Sequence, residues 1–438
     1  MVRGWLVRLG LAFALLWMAV PGSAAWYEVR SRHFIVYSEG SPATIQKFAI
    51  DLERFDAGFR TALGMADVEG DAANPLTVFF VSNTSEVADL ICRGQTGKDR
   101  EACKNIAGFY SARISGSVAF VPRRAGNSFD DPRSILFHEY AHHLMLASSG
   151  AAYPAWYREG FAEFASYVRF DRDGEIHLAM PAQSRAYTLF ALPPMRVPDV
   201  MTADLRKLTG EKRAIFYARS WLLTHYLTFA FARRDQLGNY LGQINKGVPA
   251  VDAATAAFGD LNVLDREVEA HLKRGKFQFL PVPVKPIPPE SIRTRQLDAG
   301  EAAMMPVRIE STRGVNSDMA LQVLADARRI AAPYADSPGA QIALTEAEFD
   351  ADNIDAAEAA IDRALVKAPN EARAIVFKAR IMMRRARDAI KDEEAAWREA
   401  RKWLLKANRI ETDAAWPLYL YYQSLLSVVQ DAGHQAHR

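Results

Sequence analysis

Cysteine is scarce in this chain: 438 residues hold only Cys92 and Cys103. Two isolated cysteines are a poor zinc site, so metal ligands must be sought among other side chains. Charge of one sign is also lacking. The formal net charge is +2, with no concentrated basic face, which gives no reason to expect nucleic acid as a partner. Long apolar runs are missing beyond the N-terminus: nothing later approaches the roughly 20 residues that a membrane-spanning helix needs. What remains is 50% hydrophobic and 24% charged, the composition of a globular protein with substantial cores. The length predicts more than one domain.

The first residues carry the clearest address. Arg3 and Arg8 precede the apolar stretch "LGLAFALLWMAV", and "PGSAAW" then supplies helix breakers and small residues. This is the pattern of a cleaved signal peptide covering 1–25, cut after Ala25 or Ala24. The apolar core is too short for a membrane anchor, and no cysteine near the cut marks a lipoprotein. The expectation is an exported protein, periplasmic or secreted, with no membrane span after cleavage. Export changes how the cysteines read. Cys92 and Cys103 bracket the polar loop "RGQTGKDREA", and in an oxidising compartment they are expected to pair, free thiols being the alternative.

Along the chain the fold class reads as α+β. "WYEVRSRHFIVYSE" alternates as a strand. After it, Ser41 and Pro42 open a helix in which Ile45, Phe48, Leu52, Phe55 and Phe59 recur at helical spacing, with Gly64 ending it. "PLTVFFVSN" is a second strand, Thr84–Ile91 a short helix, and "AGFYSARISGSVAFVPRR" two strands around Ser115-Gly116. A run of helices is predicted from about 131 to 275. "FLPVPVKPIPPE" has five prolines in twelve residues and reads as an extended linker, with a little strand character following through "MPVRIES". These signals divide the mature chain into a catalytic-type domain at 26–278, a connecting segment at 279–315 and an all-helical domain at 316–438. In the last, "PGAQIALTEAEFDADNIDAAEAAIDRALVKAPNEARA" holds two amphipathic helices around Asp352-Asn353, with small residues at Ala343, Ala347, Ala357, Ala360 and Ala364. That stretch resembles a tetratricopeptide repeat, and a more degenerate copy follows. Such repeats imply a surface for a protein partner, while a generic helical bundle is the alternative.

The chemistry centres on "ILFHEYAHHLML". Asp131 and Pro132 mark a helix start. On that helix His138 and His142 lie one turn apart on one face, and Glu139 sits beside them. This is H-E-x-x-H, the spacing in which two imidazoles hold zinc and the glutamate serves as general base. A buried helix with satisfied histidines would look the same. A catalytic zinc site takes three protein ligands and keeps a position for water. "PAWYREGFAEFASYV" follows with helical periodicity and supplies Glu159 as the third ligand. Glu163, one turn on, is placed to orient a ligand histidine. His143 reads only as a neighbour.

"HEYAH" with "WYREGFAEF" resembles the gluzincin metallopeptidases, especially their aminopeptidase-like branch with its H-E-x-x-H…N-E-G-F-A pattern. The resemblance implies His138, His142 and Glu159 as ligands of Zn2+ and Glu139 as general base. "YARSWLLTHYL" is similar to the helix on which that branch carries a catalytic tyrosine, which implies Tyr217 as the donor to the oxyanion. His225, on the same helix, is the poorer candidate. Two departures matter. The spacing from His142 to Glu159 is shorter than in the aminopeptidases, and their G-x-M-E-N element is absent. "AGFYSARISGSVAFVP" stands in its place without an acid in the strand, although an edge strand there suits substrate backbone. The better resemblance is to bacterial peptidase MA-like proteins, exported and often followed by helical repeats. The expected function is therefore an exported zinc peptidase, an endopeptidase in type, acting on peptide or protein. The alternatives are a catalytically silent envelope scaffold or binding protein with the same domains, and a zinc hydrolase acting on another bond.

Overall fold

The protein is described here as a computed structural model covering residues 25–435, apart from 68–73, 98–99, 101–102, 105, 125–130, 149–150, 172–173, 209 and 390–392. Residues 1–24 of the expected signal segment lie outside the described residues. Strands β1 (Trp26–Arg30), β2 (Phe34–Glu39), β3 (Leu76–Val81), β4 (Phe109–Ser111) and β5 (Val118–Pro122) join a late strand, β9 (Arg293–Gln296). Together they form one sheet in the order β4-β5-β3-β2-β1-β9. β2, β3 and β5 run parallel, and β1, β4 and β9 pair antiparallel to their neighbours.

Because side chains alternate along a strand, the sheet has two apolar faces. Val29, Phe34, Val36, Val78 and Val121 face helix α1 (Pro42–Leu63) and helix α3 (Pro132–Ser148). Tyr37, Phe79, Val118 and Phe120 face the opposite way, against α2 (Thr84–Cys92) and two residues from far along the chain, Met305 and Ile309. Cys92 and Cys103 form a disulfide after α2, with Cα atoms 5.5 Å apart.

Helix α4 (Ala155–Ser166) then leads into β6 (Arg169–Phe170) and β7 (Glu175–Leu178), so the expected helical run is interrupted by a small antiparallel sheet. Helices α5 (Ala186–Ala191), α6 (Val197–Thr202), α7 (Gly210–Phe229), α8 (Gln236–Asn245), α9 (Ala250–Phe258) and α10 (Leu261–Arg274) follow. They share a second core built on Trp156, Phe216, Trp221 and Tyr240.

The proline-rich stretch is not a free linker. Leu280–Pro283 forms β8, pairs with β7, and buries Val282 and Val284 in the first core. Pro281 and Pro283 fall at alternate positions, so N–H groups remain for pairing between them; the Val284 N–H reaches the Gly174 carbonyl at 3.0 Å. The strand character read through "MPVRIES" is also corrected. After α11 (Ala299–Ala303), Met305–Arg313 is helix α12, with Pro306 in its first turn and Gly314 ending it. Met305 and Ile309, one turn apart, cover the sheet, while Val307 turns toward the helices beyond.

Those helices are α13 (Ser317–Ala331), α14 (Pro338–Asp350), α15 (Ile354–Lys367), α16 (Ala372–Arg387), α17 (Glu393–Ile410) and α18 (Ala415–Gln435). All five small residues are buried: Ala343 and Ala347 against α12 and α13, and Ala357 and Ala364 in the core that α14, α15 and α16 share, with Ala360 beside them in α15. No helix among the described residues is long and apolar enough to cross a membrane.

Candidate metal centre

Helix α3 starts where its cap says it should. The Asp131 carboxylate accepts from the Arg133 N–H at 2.9 Å, one of the donors a helix start leaves unpaired. Leu136, Phe137, Tyr140, Ala141 and Leu144 bury one side of α3 under the sheet. The other side presents His138 and His142, whose ring centroids are 4.9 Å apart.

Glu159 comes from α4. Its Oε2 lies 3.5 Å from His138 Nε2 and 3.4 Å from His142 Nε2. One oxygen and two imidazole nitrogens thus converge, and the three ligand atoms lie within 4.8 Å of one another. Bonds of about 2.0 Å in a tetrahedron put ligand atoms about 3.3 Å apart, so the spacing fits a zinc-sized cation. Glu139, 7% exposed, stands beside the trio on the same helix. Glu163 Oε1 lies 3.5 Å from His138 Nδ1, on the far side of the ring from Glu159.

Two glycines allow these approaches. A Cβ at Gly160 would sit 2.4 Å from the Ser220 carbonyl oxygen, so only glycine lets α4 lie this close to α7. That contact brings Tyr217 opposite the histidines, its ring centroid 6.1 Å from that of His138. A Cβ at Gly108 would meet Ile135 at 2.6 Å and Glu139 at 3.4 Å, so the chain entering β4 passes tightly over the metal helix.

Electrostatics favour a cation at the histidines. Glu139, Glu159 and Glu163 are buried together, facing the guanidinium of Arg185 and the more exposed Arg158. Burial by itself lowers the His138 pKa, but the Glu159 hydrogen bond and the charges of Glu139, Glu163 and Glu159 outweigh it and push it up to about 9. Burial raises the Glu159 carboxyl, yet its bonds to His138 and His142 hold it well below the usual carboxylate range. Glu139 is raised, chiefly by burial, with the two imidazoles partly offsetting that; a raised carboxyl is suited to taking and returning a proton. Burial, then Glu159, Glu163 and Glu139, push the Tyr217 phenol well up, so it remains a donor.

The structure therefore brings together His138, Glu139, His142, Glu159, Glu163 and Tyr217. His225 lies elsewhere, fully buried among Trp221, Phe229 and Phe277, with Nδ1 3.1 Å from His271 Nε2 and Nε2 2.9 Å from the Gln278 carbonyl. Sequence reasoning missed Arg185. Its guanidinium forks onto Glu163 at 2.6 and 2.9 Å and lies 5.7 Å from the centre of the Tyr217 ring. Nothing in its spacing marks it, because it ends a single 3₁₀ turn, Gln183–Arg185, too short to show a period. His143 is also more than a neighbour, with Nδ1 3.1 Å from the Tyr110 hydroxyl of β4.

Neither a protein-family model, nor a curated protein, nor a solved structure matches this chain.

Proposed function

We propose that the protein is a metallohydrolase and, within that class, a zinc-dependent peptidase of gluzincin type. The observation that carries this reading is the convergence of His138, His142 and Glu159 on one point with Glu139 alongside. A second observation supports a cation there: both imidazoles turn the same nitrogen, Nε2, toward Glu159 Oε2, at 3.5 and 3.4 Å.

In this reading His138, His142 and Glu159 hold the ion. Zinc in such a site acidifies water and polarises a substrate carbonyl. Glu163, itself held by Arg185, lies 3.5 Å from His138 Nδ1, where its charge favours a proton on that nitrogen and leaves Nε2 to face the ion. Glu139 takes a proton from the attacking water and returns it to the departing amine. Tyr217 donates its hydroxyl to the oxygen on which charge develops. Among the described residues β4 is an edge strand, which suits the backbone of an extended peptide. No acid stands in β4 to hold a free amino terminus, which favours an endopeptidase. The C-terminal helices, read as tetratricopeptide-like, offer a surface for a protein partner, and the disulfide agrees with export.

The test is metal analysis of the purified protein followed by chelator-sensitive cleavage of casein. About one zinc per chain and cleavage restored by added zinc are expected. Protein that takes up no zinc, or cleaves equally well in chelator, overturns the reading.

A further inference from the structure

We propose that helix α12 sets how tightly a polypeptide substrate docks, and that Arg113 is the positioning residue through which it does so. The inference rests on the peptidase reading, because it concerns where substrate backbone would lie along β4.

β4 is three residues long and, among the described residues, pairs only with β5, so its own ladder fixes it weakly. Its side chains alternate between two parts of the molecule. Tyr110 points toward α3: its hydroxyl lies 3.1 Å from His143 Nδ1 and donates to Ser117 Oγ at 3.0 Å. Just before the strand the chain passes close to the general base: a Cβ at Gly108 would stand 3.4 Å from a Glu139 carboxylate oxygen. Phe109 points to the opposite face and stacks on Phe120, ring centroids 4.7 Å apart. That face of the sheet is closed by Met305 and Ile309 of α12. The strand beside the general base is thus clamped between the metal helix and a helix nearly two hundred residues later.

Arg113, two residues beyond β4, completes the clamp. Its Nε donates to Ser111 Oγ at 3.2 Å, tying the guanidinium to the strand's last residue. Nη1 donates to the Thr312 carbonyl and Nη2 to the Arg313 carbonyl, the latter at 2.5 Å. These are terminal carbonyls of α12, unpaired within the helix and at its negative end, where a fixed cation is favoured. Gly314 follows with φ of 104°, and a Cβ there would stand 3.5 Å from Nη2. A fork across two carbonyls at the end of a packed helix fixes direction as well as distance, which a lysine cannot do. α12 in turn packs on α13 and α14, so the helical region is mechanically joined to the edge of the cleft.

The test compares wild type with Arg113→Met and Arg113→Lys in the full chain. Three quantities are measured: amide exchange across 107–118, zinc content, and KM and kcat on casein. Arg113→Met is expected to speed exchange across 107–118 about tenfold and raise KM about tenfold, from the loss of a charge-assisted fork. Zinc content stays unchanged and kcat stays within about twofold, since the reacting groups keep their places. Arg113→Lys falls between. Unchanged exchange at 107–118 in both variants overturns the proposal, as does a fall in kcat and zinc content with KM unmoved. Should wild type hold zinc but leave casein intact, the peptidase reading fails, and the exchange result still decides whether Arg113 holds the strand. If Arg113→Met does not fold, Arg113→Lys alone carries the comparison.

Discussion

Among the described residues, two groups of histidine and carboxylate bring ligand atoms within 4.8 Å of one another, and their partners differ. One is His138, His142 and Glu159. The other is His33, Glu53 and Asp56, buried where the turn after β1 meets α1. In the second, His33 Nδ1 lies 2.8 Å from Glu53 and 3.3 Å from Asp56, and Nε2 lies 3.2 Å from Asp67. Asp56 also accepts from Arg60 at 2.7 Å and from the Tyr140 hydroxyl at 2.6 Å. With His33 protonated, three acids meet His33, Arg60 and Arg32 and the charges balance. At the first site two imidazoles turn Nε2 toward one oxygen of Glu159, so three ligand atoms face a single point. Proximity of ligand types is common to both. Convergence of two imidazoles and a carboxylate is what separates a site that suits an ion from a cluster in which one imidazole, with an acid on each ring nitrogen, fastens two elements together.

The widest expected difference between them is in turnover. Glu139→Gln should lower kcat on casein about a thousandfold while zinc content stays at the wild-type level. His33→Gln should leave kcat per folded molecule within about twofold. A Glu139→Gln protein that retains zinc and full activity would remove Glu139 from the chemistry and blur the contrast.

Next in size is metal affinity. Glu163→Gln should weaken zinc binding about ten- to a hundredfold, measured by competition with a chromogenic chelator, because His138 loses the acceptor that orients it. Arg185→Met should follow in the same direction by a smaller factor, since Glu163 keeps its place less well without the fork. Equal zinc affinity in both variants would show that Glu163 does no orienting.

How much of this was legible depends on whether a residue's role is set by spacing or by contact across the fold. His138, Glu139 and His142 are fixed by the turn of one helix, and Glu159 and Glu163 repeat that one-turn relation on the next, so the strip of sequence carries them. Cys92 and Cys103 were legible for the same reason, being local. Arg185 reaches Glu163 from a single 3₁₀ turn, and Arg113 reaches α12 from two hundred residues away. No local period records either contact. The proline-rich stretch misled because prolines at alternate positions are compatible with an edge strand, and only the partner strand β7 reveals that. Helix α12 was obscured because its buried residues serve two cores, which breaks any single stripe.

Packing between α4 and α7 gives the third test. Gly160→Ala places a methyl 2.4 Å from the Ser220 carbonyl, a backbone atom that cannot swing aside. The expected cost is about 1–3 kcal/mol by urea unfolding, with casein cleavage reduced as Tyr217 moves away from the histidines. Unchanged stability and rate would mean that the two helices can separate without consequence, and that Tyr217 needs no such placement.

The smallest expected effect distinguishes the quiet cluster by its pH dependence. Burial acts to lower the His33 pKa, but the Glu53 hydrogen bond and the charges of Asp56, Glu53 and Asp67 outweigh it, and the net shift is upward from 6.5. The folded protein therefore holds that proton more tightly than the unfolded chain does. Its stabilisation is fully present below about pH 6.5 and is lost as the pH rises through the folded value. His225 runs the other way. Burial is the main cause, and with the charge of His271 it takes the pKa down to about 4 despite the Gln278 carbonyl, so this histidine favours folding above pH 6.5 and loses that contribution as pH falls toward 4. His33→Gln should thus cost on the order of 1–2 kcal/mol at pH 6, and distinctly less at pH 9, in urea unfolding of the zinc-free protein. Zinc should raise the melting temperature of wild type and His33→Gln by the same amount, since the ion and the proton belong to different clusters. A zinc-dependent shift that disappears with His33 would place a second ion at His33, Glu53 and Asp56, and the pairing of two imidazoles would then no longer tell the two sites apart.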